Sequence, residues 1–106
     1  MGDLVSAEAP RLDAVSPGEV LQEEFLVPLA LSQARLAAAM RVSPNRIAEI
    51  VHNRRRITAD TALRLGLVFR TSPEFWLNLQ THYDLEVARD AFSADEAREI
   101  EAQRVA

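Results

Sequence analysis

Eight of the twelve basic residues lie between positions 30 and 70, where only two acids offset them. That stretch carries +6, whereas residues 1–29 and residues 71–106 carry −5 each, so a net charge of −4 hides a basic centre. Every basic residue is arginine, whose planar guanidinium bonds phosphate or guanine through two parallel N–H groups. A solvated charge run and a GC-rich coding bias are the plain alternatives to a polyanion-binding face, and charge alone does not separate them.

Other chemistry is poorly supplied. His52 and His82 stand thirty positions apart with no ligand spacing around them that fits zinc. His52 reads as a phosphate contact or loop residue and His82 as a surface residue. Three glycines provide no phosphate-cradling loop, and without cysteine there is no disulfide, thiol nucleophile or thiolate metal site. The sequence therefore predicts no enzyme, no metal and no cofactor. Most of the carboxylates sit at helix starts and surfaces, where solvation and the helix dipole account for them.

The elements that must position the arginines are helices. Ser16-Pro17-Gly18-Glu19 reads as a helix start, with the helix running to about Leu26, burying Leu21 and Phe25 and ending at Pro28. Ser32 caps a second helix, Gln33 to Met40, with Leu36, Ala37 and Met40 inward. Ser43 caps a third, with Pro44 first and Ile47, Ile50 and Val51 as its buried stripe. Thr58 caps a fourth, to about Phe69, and Ser72-Pro73-Glu74 opens a fifth that runs past Trp76 towards Tyr83. Ser93 and Glu96 have capping-box spacing for a charged sixth. No stretch alternates with a period of two, so the expectation is a compact all-α domain of five helices. The domain is expected over residues 16–92, with a flexible arm at 1–15 and a charged helix or tail at 93–106.

The second and third helices carry the informative pattern, SQARLAAAMRVSPNRIAEIVHN from Ser32 to Asn53. Two helices joined by so short a turn cross closely only where a side chain is small, the place of Ala37, with Val42 plugging the turn from below. Burial of Ile47 and Ile50 then leaves Asn45, Arg46 and Glu49 on the solvent side, with Ser43 and Pro44 at the tip. A helix so presented enters a major groove tip first. There Arg46 suits guanine and Asn45 suits adenine. Ser32 and Gln33, and again Thr58, open helices whose free amides suit phosphate. His52, Asn53, Arg54, Arg55 and Arg56 follow as a basic loop. Each has a bland alternative, namely a surface arginine, a helix cap or a solvated loop. Their gathering on one side of one motif, in the only basic third of the chain, favours double-stranded DNA as partner.

Residues 16–90 resemble the HigA antitoxins within the lambda-repressor-like helix-turn-helix class. The resemblance rests on SPGEVLQEEFLVPLALSQ, RIAEIVHNRRRITADTALRL and TSPEFWLNLQTHYDLEVARD. It implies a homodimer that binds a palindromic operator in its own promoter and neutralises a HigB-type mRNA nuclease toxin. One position departs from the class. Arg41 stands where glycine is usual, because the chain there turns left-handed, at a cost of ~1–2 kcal/mol for a side-chain-bearing residue.

A two-fold reader must place its recognition helices ~34 Å apart, one DNA turn. The dimer surface is expected on the fifth helix, at Phe75, Trp76, Leu79, Tyr83 and Leu85, although a core role is the simpler reading of Phe75 and Leu79. Two rivals keep the helices but change the function: a stand-alone phage-like repressor without a toxin, and a helical protein-interaction module. The N-terminus lacks the basic-then-apolar order of a secretory signal, and no apolar run is long enough to span a bilayer. A soluble cytoplasmic protein is expected.

Overall fold

The computed structural model describes residues 14–106, so the arm expected at 1–15 lies almost wholly outside the described residues. Seven helical segments follow in order, and among the described residues there is no strand. α1 (Pro17–Val20) passes directly into a π-helical segment (Leu21–Leu26). α2 (Gln33–Met40), α3 (Pro44–Val51), α4 (Ala59–Phe69), α5 (Pro73–Ala91) and α6 (Ala94–Ala102) complete the chain. None of these helices is long and apolar enough to cross a membrane.

Each helix begins where a hydroxyl residue meets its first turn. Ser16, Ser32, Ser43, Thr58, Ser72 and Ser93 all accept a hydrogen bond from the amide three residues on. That bond satisfies one of the donors a helix start leaves unpaired. Three of the six add proline at the first helical position, where its missing N–H costs nothing.

The first helix differs in winding from its sequence expectation. The Val27 amide bonds Gln22 O at 3.0 Å and Leu31 N bonds Leu26 O at 2.9 Å, both five residues back. The wider turn brings Leu26 rather than Phe25 under Leu21, so Leu21 and Leu26 are buried and Phe25 is only partly so. Phe25 instead joins an aromatic cluster, 4.8 Å from Phe69 and 5.1 Å from Trp76 between ring centroids.

α2 buries Leu36, Ala37 and Met40 as expected, α3 buries Ile47 and Ile50 but covers Val51 only in part, and α4 buries Ala62 and Leu65. Burying each leucine or isoleucine contributes ~1.5–3 kcal/mol, so this shared core outweighs the strain at the turns. Arg41 is one such turn, left-handed at φ 61° and ψ 45°, and so bears the strain its residue type implies. Glycine permits one close approach between helices. A Cβ on Gly18 would stand 1.9 Å from the Ile50 carbonyl oxygen, so α1 lies directly on the C-terminal turn of α3.

α5 runs eight residues beyond Tyr83, because nothing from Asp84 to Ala91 breaks a helix and Arg89 pairs with Glu86 one turn back. Trp76 is wholly buried beneath it, its indole N–H donating to Thr71 Oγ1 at 2.8 Å. Trp76 therefore cannot form a dimer surface: it is the core contact of α5 with the aromatic cluster. Leu79 also packs on the core, and Tyr83 is half-buried. Of the five residues expected at a dimer contact, Phe75 and Leu85 remain exposed. The sixth helix forms but buries no residue.

Candidate nucleic-acid interface

The tip of α3 and the loop after it are exposed, and the loop carries three consecutive arginines. Ser43, Pro44 and Asn45 are exposed at the tip, and so is every residue from His52 to Arg56. The hydroxyls of Ser32 and Ser43 are engaged by their own helices, accepting from Arg35 N at 3.1 Å and Arg46 N at 3.2 Å. Thr58 caps α4 and donates to Thr61 Oγ1 at 3.3 Å. Each keeps a lone pair and each marks a helix start, so the amides beside them stay open to an anion. Gln33 is half-buried beside Ser32 at the mouth of an open groove of about 390 Å³.

Arg46 departs from its sequence expectation. Instead of extending from the solvent side of α3, it reaches across to α4, where Nη2 donates to Asp60 Oδ2 at 2.7 Å and Thr61 Oγ1 at 2.8 Å. Its Nε is buried without a partner. Arg64 meets the same Asp60 oxygen at 3.0 Å and the Met40 carbonyl at 2.8 Å. Hydrogen bonds from these two arginines hold the Asp60 carboxyl below its ordinary value. Asp60 thus ties α3 to α4 and, through Arg64, to the end of α2. Arg46 is a strut of the motif because the nearest carboxylate lies on α4, a neighbour that helical periodicity cannot reveal.

Glu49 stands one turn beyond Asn45 on the same face of α3. Its Oε2 accepts from Asn45 Nδ2 at 3.2 Å and its Oε1 from Arg55 Nε at 2.8 Å. The Arg55 bond is the main reason its carboxyl is held below the usual glutamate value. His52 Nδ1 lies 2.8 Å from Ala48 O, and because a carbonyl only accepts, Nδ1 is the donor of that bond.

The loop is fixed from behind by α5. Asn53, left-handed at φ 61°, donates to the Tyr83 hydroxyl at 2.5 Å. The buried Ile57 amide donates to Gln80 Oε1 at 2.7 Å, and Gln80 Nε2 donates to Asp84 Oδ1 at 3.0 Å. Arg56 Nη1 meets the other Asp84 oxygen at 2.6 Å. A cleft of about 210 Å³ is lined by Arg54, Arg55 and Arg56 of the loop and by Gln80, Tyr83 and Asp84 of α5. Sequence reasoning did not find Gln80 and Asp84. The available signal was Gln80 four residues after Trp76, a neutral polar residue on the inward stripe of an otherwise apolar helix face. Arg54 forms no ion pair among the described residues and is exposed.

Known proteins resemble this chain in sequence and in fold. A helix-turn-helix family profile matches residues 23–76. The chain is 51% identical over 84 residues to virulence-associated protein I of Dichelobacter nodosus, covering 79% of this chain and 78% of that one. It is 37% identical over 81 residues to antitoxin HigA-1 of Vibrio cholerae, covering 76% of each. Among solved structures, the Pseudomonas aeruginosa antitoxin HigA with the higBA promoter superimposes with a TM-score of 0.74 at 41% identity, over 87% of this chain and 96% of that one.

Proposed function

The chain belongs to the helix-turn-helix family and groups with its HigA antitoxins, and from that premise we propose that it is an antitoxin that represses its own operon. A homodimer binds a palindromic operator, each α3 entering a major groove with Ser43, Pro44 and Asn45 against base edges. Asn45, exposed at the tip, pairs with adenine. Arg54, Arg55 and Arg56 neutralise phosphates beside the groove, with His52 and Asn53 at the margin. The helix starts at Ser32, Gln33 and Thr58 bind further phosphates. Arg46 sets the angle of α3 rather than reading a base. Dimer contact lies on the exposed residues of α5, Phe75, Leu85 and Val87. The partner in the cell is a HigB-type mRNA nuclease, which the antitoxin neutralises in the cytoplasm, and we assign no catalysis to this chain.

The observation that carries the reading is that the tip of α3 and the arginine loop share one exposed face and are joined there through Glu49. A reporter driven by the chain's own promoter tests repression, and co-expression with a HigB-type nuclease tests neutralisation. Repression together with restored growth is expected. Repression without any rescue would reduce the protein to a stand-alone repressor, and rescue without repression would leave the helix-turn-helix as scaffold.

A further inference from the structure

Glu49 is the only acid on α3 and one of two among residues 30–70. A carboxylate in a surface meant for phosphates is costly unless it contributes something, because long-range attraction to a polyanion is almost wholly a matter of charge. Its contacts indicate what that contribution is. One oxygen accepts from Asn45 at the tip of α3 and the other from Arg55 in the loop, so a single side chain bridges the base-facing and phosphate-facing parts of the surface.

We infer that Glu49 is a positioning residue that sets the sequence discrimination of this surface, by orienting the Asn45 amide and restraining Arg55. The inference rests on the DNA-reading function proposed above. With one Nδ2 proton given to Glu49, Asn45 keeps its carbonyl oxygen and its second N–H for a ligand. That acceptor and donor match the N6 amino group and N7 of adenine. Arg55 meanwhile spends Nε–H on Glu49, so its charge is partly cancelled and its Nη groups are held in one place. On unmatched DNA, where no base edge meets Asn45, the carboxylate opposes the phosphates and weakens binding. On the operator the oriented amide recovers the loss. Specificity is a difference of affinities, and Glu49 acts on both sides of it.

The test uses the full chain as Glu49→Gln and Glu49→Ala, with operator and scrambled duplexes titrated across a salt series and thermal melting measured in parallel. Both variants are expected to bind the scrambled duplex more tightly, with the salt slope steeper by up to about 0.9 as Arg55, no longer partly cancelled by Glu49, neutralises its phosphate in full. The operator-to-scrambled ratio should fall about tenfold, the scale of one lost base contact. Replacing the contacted adenine by 7-deazaadenine should weaken wild type more than either variant. An unchanged ratio in Glu49→Gln, or parallel weakening on both duplexes with a lower melting temperature, would overturn the inference and leave Glu49 a structural ion pair. Wild-type protein with no preference for the operator would overturn the DNA-reading function itself, and this inference with it.

Discussion

Replacing Gly18 by alanine tests how the recognition helix is seated. The added Cβ would stand 1.9 Å from Ile50 O, 2.9 Å from Ile50 C and 3.0 Å from Val51 O. All three are backbone atoms of α3, so no side chain can swing aside. Restoring ordinary contact requires the two helices to separate by about 1.5 Å, in an interior packed as tightly as a crystal. Overpacking of this kind costs ~3 kcal/mol, the upper end of the usual range, because backbone must move. Alanine returns about 1 kcal/mol through its better helix propensity. The balance is a loss of about 2 kcal/mol, or a fall in Tm of about 10 °C for a domain of this size. Thermal denaturation followed by circular dichroism measures it, and operator titration of the same sample should show weakened binding because α3 has moved. A Gly18→Ala protein with wild-type Tm and operator affinity would refute the close seating of α1 on α3.

Three further outcomes follow from the contacts. Gln80→Leu strands the buried Ile57 amide, which costs ~1–3 kcal/mol, and faster hydrogen exchange at Ile57 with uniformly weaker binding to any duplex would report it. Arg46→Ala removes the strut to Asp60 and Thr61, so Tm and affinity for both operator and scrambled duplex should fall together; loss of operator binding alone at unchanged Tm would make Arg46 a base reader. Acid should destabilise the protein. Glu49 and Asp60 are held low by their arginine partners, and at Asp84 burial pushes the carboxyl up but hydrogen bonds from Arg56 and Gln80 outweigh it. Carboxyls lowered on folding contribute stability above their ordinary values and lose it as they protonate. Tm should therefore hold from neutral pH to about 5 and fall below the ordinary aspartate value of 3.8, less steeply in Asp84→Asn.

What the sequence made legible was local. A hydroxyl residue before each apolar stripe placed the helix starts, and the small Ala37 between Leu36 and Met40 marked the crossing of α2 and α3. The same local logic placed Asn45 and the arginine loop on the outside. Contacts between distant positions were not legible. Arg46 looks exposed on any helical wheel, and only the fold brings Asp60 to it. Trp76 has the spacing of a surface stripe on α5, yet the aromatic cluster with Phe25 and Phe69 takes it inward. The π-helical segment is invisible for the same reason, since its wider turn follows from how Leu21 and Leu26 meet the core and not from their spacing.

The measurement that tests the account most directly is binding of the full chain to its own promoter and to a scrambled duplex across a salt series. Two protomers on each palindrome, a clear preference for the promoter and a steep fall in affinity as salt rises are expected. Weak and equal binding to both duplexes would contradict it, and the basic face of α3 and its loop would then be scaffold rather than a reader of DNA.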